Sequence, residues 1–167
     1  NPISQYFGLI AEGFVTQADL DNPDFPVSTF GTVKVGDLKY KDANGDGFID
    51  DRDESRIGYS DIPENTYALS LGVNYKGWGF SVMFQGVDHV SRYYDAEAMY
   101  AFVSGGKVKE HHLERWNPAQ SEAYNLQHAN YPLLHYDNYG DHNQRTNSFF
   151  LKNGSFVRLK NIELSYT

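Results

Sequence analysis

Tyr67-Ala68-Leu69-Ser70-Leu71-Gly72-Val73-Asn74-Tyr75-Lys76-Gly77-Trp78-Gly79-Phe80-Ser81-Val82-Met83-Phe84 is the stretch that decides the fold class. Over 67–76 the odd positions are Tyr, Leu, Leu, Val and Tyr, and the even ones are Ala, Ser, Gly, Asn and Lys. Side chains on a strand alternate between two faces, so an unbroken period of two predicts a strand with one apolar side. A second run over 78–89 sets Phe80, Val82 and Phe84 on one face. Only the short turn around Lys76-Gly77-Trp78 separates the two runs, which predicts a tight antiparallel hairpin.

Residues 155–167 predict a further strand, but its apolar phase changes midway. Val157 and Leu159 are odd, whereas Ile162, Leu164 and Tyr166 are even, and a bulge near Lys160-Asn161 would restore one face. Residues 3–15 form a weaker candidate strand, interrupted by Gly8 and Gly13. Two long connections, 16–66 and 90–154, join these strands. Ordinary connections run only a few residues, so loops of this size are expected to be functional or disordered. Asn153-Gly154 suggests a hairpin tip, and short helices are expected near 92–104 and 108–116. One short turn opposite two long connections is the asymmetry of outer-membrane barrels, and strands of this length suit a tilted span of about 9–11 residues. A soluble β-sandwich with two insertions fits the same pattern.

Composition agrees with a strand-rich chain. Aromatics make up 16% of the 167 residues, with 13 Tyr and 11 Phe, and these favour a pleated surface. The formal charge of −8 argues against a nucleic-acid partner, which needs clustered Lys and Arg. Cysteine is absent, so stability must come from something other than disulfides, such as a bound metal or a larger assembly. No run of about 18 apolar residues exists to make a membrane helix, a test that does not bear on barrels. The chain opens at Asn1 without a leader pattern and stops at Thr167 inside a strand pattern, so both ends read as cut.

The sharpest local motif is Asp42-Ala43-Asn44-Gly45-Asp46-Gly47-Phe48-Ile49-Asp50-Asp51-Arg52-Asp53. Ca²⁺ takes six to eight hard oxygens at about 2.3–2.6 Å, and a loop of this spacing supplies them. Asp42, Asn44 and Asp46 would provide one side of the site. The Phe48 carbonyl, Asp50 and Asp53 would complete it, with Gly47 allowing the sharp turn and Ile49 anchoring the loop inward. Asp53 stands where the usual loop closes with the longer Glu. Flanking helices are not expected, since 36–40 reads as extended and 54–57 allows only a turn. A structural calcium ion is therefore expected rather than a regulatory one.

Other constellations are weaker. His89, His111, His112, His128, His135 and His142 lack zinc-binding spacing, the nearest approach being His135-x-Asp137 and Asp141-His142. Glu97, Glu110, Glu114 and Glu122 offer carboxylates that nothing pairs, and no nucleophile elbow or phosphate loop is present. The chain is therefore not expected to be an enzyme. Tyr93, Tyr94, Tyr100, Trp116, Tyr124, Tyr131, Tyr136 and Tyr139 crowd one connection. Most are expected to pack, with Trp116, Tyr131 and Tyr136 taken as candidates for stacking on a sugar or peptide.

Gly36-Asp37-Leu38-Lys39-Tyr40-Lys41 running into Asp42–Asp50 resembles a signature of the SusC/RagA type of TonB-dependent outer-membrane transporter. Ile57-Gly58, Tyr75-Lys76-Gly77-Trp78, Phe80-Ser81-Val82 and Phe84-Gln85-Gly86 continue the resemblance. So do His112-Leu113-Glu114-Arg115-Trp116-Asn117-Pro118, Tyr131-Pro132 and the block Gly154–Ile162, in the same order over nearly the whole chain. The resemblance implies an all-β fold: antiparallel strands from a late portion of a transmembrane barrel of about 22 strands, with long extracellular loops. It further implies the outer membrane of a Gram-negative bacterium and contact with its lipid. The implied partners are a SusD-like lipoprotein, TonB reached through an N-terminal part not in this chain, and an oligosaccharide or peptide cargo. The calcium loop would then fall on the extracellular side. The alternative is a soluble calcium-stabilised β module that binds glycan through its aromatic loops.

Overall fold

A computed structural model describes residues 3–95, 99–136 and 142–167. Strands predominate: β1 (Phe7–Gly8), β2 (Ala11–Phe14), β3 (Val27–Ser28), β4 (Leu38–Tyr40), β5 (Phe48–Ile49), β6 (Ser55–Arg56), β7 (Asn65–Tyr75), β8 (Trp78–Asp88), β9 (Ser91–Tyr93), β10 (Leu151–Asn153) and β11 (Phe156–Tyr166). The α-helices described are short, α1 (Gln17–Leu20) and α2 (Glu122–His128). No helix among the described residues is long and apolar enough to cross a membrane. The all-β expectation holds. The chain divides into two compact units.

The first unit holds Gly58–Arg92, Leu151–Thr167 and the residues before Phe7. Its frame is an open antiparallel sheet in the order β11-β8-β7. The hairpin forms where the alternation placed it: Tyr75 faces Trp78, Leu71 faces Val82 and Tyr67 faces Gly86. Lys76 and Gly77, both with positive φ, make the turn. In β11 the register shifts between Leu159 and Asn161, leaving Lys160 as the extra residue. That bulge brings Ile162 opposite Val82 and Leu164 opposite Phe80, so the change of apolar phase disappears in space.

Each of the three strands therefore sends most of its apolar side chains to one face: Leu69, Leu71 and Val73; Phe80, Val82 and Phe84; Leu159, Ile162 and Leu164. The opposite face carries Ala68, Ser70, Gly72, Asn74, Ser81, Gln85, Arg158, Asn161, Glu163 and Ser165, with Met83 among them and Val87 and Phe156 at the end away from the turn. At the turn end, Tyr75, Trp78 and Tyr166 form an aromatic rim, with the Trp78 and Tyr166 rings 4.8 Å apart. At the other end the Tyr67 ring lies over Gly86, where any Cβ would meet it at 2.2 Å. The apolar face is open, with Leu164 at 67% exposure.

The second unit holds Phe7–Ile57 and Tyr93–Phe150, most of both long connections. They do not lie as separate loops but share a core of Leu9, Leu38, Tyr40, Ile49, Tyr100, Val103, Tyr131 and Phe150. Its strands are short and pair locally, β1 with β6, β2 with β4, and β3 with β5 in parallel. Polar groups are built into this core. Asn147 donates to the Arg145 carbonyl at 2.7 Å and to the Tyr40 hydroxyl, and it accepts from the Phe149 and Phe150 amides.

Three expectations need correction. Residues 3–15 form two short strands, β1 and β2, rather than one long strand, because both pair inside the second unit. Asn153-Gly154 is no hairpin tip, since β10 pairs with β9 and the Gly154 amide donates to the Val90 carbonyl. The helix expected at 108–116 is a 3-10 turn over Glu110–Glu114, and the one near 92–104 falls partly outside the described residues. Helix α2, capped by the Ser121 hydroxyl, was not anticipated.

Because Lys160 is the unpaired residue, deleting it should leave Leu164 opposite Phe80, whereas deleting Glu163 should turn Leu164 to the other face. Cysteines placed at 80 and 164 should crosslink in the parent and the Lys160 deletion, and fail to crosslink in the Glu163 deletion.

Candidate metal centre

The acidic loop is pinned from below by Ile49, which is buried in the core of the second unit. The parallel pairing of β3 with β5 holds it there, with Val27 N–H donating to the Gly47 carbonyl at 2.9 Å. Within the loop the Asx side chains fold the backbone. Asp42 accepts from the amides of Gly45 (2.7 Å) and Gly47 (2.8 Å), Asn44 from Asp46, and Asp46 from Phe48. Gly45 and Gly47 both adopt positive φ, which a side chain would resist. The Gly47 amide, helped by those of Gly45 and its neighbours, holds the Asp42 carboxyl below the ordinary range.

Asp53 closes the loop in a way the sequence did not suggest. It is 1% exposed, accepts from Ala43 (2.9 Å) and Asn44 (3.4 Å) through Oδ1, and accepts from Asp50 (2.9 Å) through Oδ2. Both its oxygens latch the loop's ends together. Asp50 caps the 3-10 turn Asp51–Asp53 and receives the Arg52 side chain on both oxygens. The Arg52 guanidinium also reaches Asp46 Oδ2 at 2.8 Å, so it bridges two of the expected ligands. It depresses the Asp50 pKa, and its own is raised, mostly by Asp50.

No three His, Asp or Glu side chains among the described residues already converge as a metal cage. The residues nevertheless fit a hard dication. The donors are oxygens of the right kind and spacing, and two of their carboxylates already close on one positive group, the guanidinium. Asp42, Asn44, Asp46 and Asp50 have side chains at the loop surface, with Phe48 beside them on β5, whereas Asp53 lies underneath.

The aromatic candidates separate. Trp116 (2% exposed) and Tyr131 (5%) are core residues: Trp116 lies against the backbone of Gly36, and the Tyr131 hydroxyl donates to the Met99 carbonyl at 2.9 Å. Neither is placed to stack on a ligand. Tyr136 is 84% exposed, with its ring 5.3 Å from that of Phe102.

Histidines also turn out to be structural more often than their polar surroundings suggested. His142 sits between the Ser28 hydroxyl (2.8 Å) and the Leu38 carbonyl (2.6 Å). His112 receives the Lys109 amide and reaches the Met99 carbonyl, and burial lowers its pKa. His135 lies 2.6 Å from the buried Asp37, which Asn143 also contacts. Glu97, Asp137, Tyr139 and Asp141 lie outside the described residues. Glu122 accepts from the Gln17 amide and Glu114 from Asn130.

No family model matches the chain. The chain is similar to TonB-dependent receptor P26 of Formosa agariphila, 30% identical over 135 residues. The matched region covers 79% of this chain and 12% of that receptor, so the chain spans a small fraction of the relative's length. The similarity is distant, and it points to the TonB-dependent receptors and to the outer membrane.

Truncating a buried aromatic costs about 3–5 kcal/mol, while exposed positions change stability by about 0.5 kcal/mol or less. Trp116→Ala should therefore sharply lower the thermal unfolding temperature of the second unit, read by hydrogen exchange of its amides, and Tyr136→Ala should leave it unchanged.

Proposed function

We propose that this chain is a late portion of the barrel of a SusC/RagA-type TonB-dependent transporter in the outer membrane of a Gram-negative bacterium. The observation that carries this reading is the one-sided sheet β11-β8-β7. Strands of 11 residues extend about 36 Å at about 3.3 Å per residue, which a tilt of about 40° reduces to about 28 Å. That matches an apolar band of about 25 Å bordered by aromatics, as Tyr75, Trp78 and Tyr166 border this one. Outer-membrane lipid is the medium that removes such a face from water. The polar, small-residue face then looks into the lumen.

In this reading the second unit is the extracellular part, the cargo is an oligosaccharide or peptide, and a SusD-like lipoprotein is the partner. TonB acts through a part of the receptor outside this chain. We assign uptake rather than catalysis, as the resemblance to a transporter family implies. The alternative soluble, glycan-binding module would leave the face around Leu71, Val82 and Ile162 in water. Antibody against residues 111–136 should detect a band far larger than 19.0 kDa in the outer-membrane fraction of source cells. A soluble band at that mass would overturn the assignment.

We further propose that the 42–53 loop holds a structural calcium ion through Asp42, Asn44, Asp46, Asp50 and the Phe48 carbonyl. Asp53 latches the loop beneath. Calcium would supply positive charge that several loop oxygens share, tying together a segment otherwise held by Asx turns. Calcium should protect residues 36–58 from protease, and Asp42→Ala combined with Asp46→Ala should abolish that protection. Equal cleavage with and without chelator in the unmutated chain would overturn the calcium assignment.

A further inference from the structure

We infer that Arg52 is a built-in rival cation that sets how much calcium the 42–53 loop requires. The inference rests on the calcium reading above. The loop carries Asp42, Asp46, Asp50, Asp51 and Asp53 against one base, Arg52. Asp51 is exposed but engaged by Arg145, and Asp53 is buried and engaged by backbone amides. That leaves Asp42, Asp46 and Asp50 as the loop acids without a charge partner other than Arg52 among the described residues. The guanidinium takes two of these three. It lies 2.7 Å from Asp50 Oδ2 and 2.8 Å from Asp46 Oδ2, while Asp46 Oδ1 is held by the Phe48 amide. The free oxygen of Asp46 therefore points at Arg52, and a metal ion can use it only after the guanidinium leaves.

The arginine is well suited to leave. Its side chain is 66% exposed, against 30% for Asp46 and 20% for Asp50, so it swings into water without disturbing packing. An exposed ion pair contributes little, because solvent screens it and ordering a long side chain is costly. The Asx turns of Asp42, Asn44 and Asp46 do not involve the arginine, so the loop's fold survives its departure. Arg52 thus neutralises the acids when calcium is scarce and raises the calcium level at which the loop fills. A site tuned in this way fills where calcium is plentiful and stays arginine-bridged where it is scarce.

The test uses the intact receptor containing this chain, with chymotryptic cleavage after Phe48 followed by mass spectrometry while free calcium is titrated. Phe48 is partly exposed on the loop itself, so its cleavage reports this site. Arg52→Gln should move the midpoint of protection to about three- to tenfold lower calcium, the scale of an exposed ion pair plus the removed charge. Arg52→Lys, which keeps the charge but loses the fork, should fall between the two. A midpoint unchanged or raised in Arg52→Gln would overturn the inference and leave the calcium assignment standing. Cleavage of Arg52→Gln that calcium no longer slows, with the unmutated chain still protected, would also overturn it, marking Arg52 as a staple that calcium does not replace. Absence of calcium protection in the unmutated chain would overturn both.

Discussion

Three antiparallel strands paired through β8, with one apolar face, impose the constraint from which the rest of the first unit follows. Burying a large apolar side chain stabilises by about 1.5–3 kcal/mol, so a face bearing Leu69, Leu71, Val73, Phe80, Val82, Phe84, Leu159, Ile162 and Leu164 cannot be left in water without a large penalty. The local irregularities all serve that face. Lys160 is extruded so that Ile162, Leu164 and Tyr166 fall on the same side as Leu159. Gly86 omits a side chain so that the Tyr67 ring can cover it. The Lys76-Gly77 turn accepts two positive-φ residues to keep Tyr75 opposite Trp78.

The second unit solves a different problem, since its segments lack long apolar runs. Its core is aromatic and hydrogen-bonded together. Phe150 contacts Tyr100, Tyr131 and Phe149 at ring distances of 5.1–5.8 Å, while Asn147, Asn143, His142 and Asp37 tie loop backbone and side chains to one another. A buried polar group left without a partner costs about 1–3 kcal/mol, so such a network holds only when nearly complete. Helix α2 is an extreme case. Its single buried residue is Asn125, whose amide exchanges hydrogen bonds with the backbone of Asn117 and donates to the Ser121 carbonyl.

These two constructions explain what the sequence revealed. Period-two alternation is a local signal, so the hairpin, the one-sided face and the bulge at Lys160 are all legible in the sequence. The acidic loop was legible for the same reason, its spacing being contained within 42–53. The pairing of β10 with β9 and the split of 3–15 into β1 and β2 were not, because they depend on partners far along the chain. Trp116 and Tyr131 looked like binding aromatics because amide- and glycine-rich surroundings imply exposure. Nothing local announced that Gly36 would offer its bare backbone to the Trp116 ring or that the Met99 carbonyl would receive the Tyr131 hydroxyl. The same distance effect hid the buried roles of His112 and His142.

Asp53 and Arg52 divide one short motif into a buried part and an exposed one. The Asp53 carboxylate latches the loop, buried and engaged by the amides of Ala43, Asn44 and Asp50. Asp46 and Asp50 lie nearer the surface, where solvent screens their contact with the guanidinium and makes that contact cheap to break. The latch fixes the loop's path through backbone amides alone, independently of the outer acids. Under the calcium loading proposed above, the shorter acid at 53 would separate folding of the loop from filling of the site, where a longer Glu would reach further toward the ion.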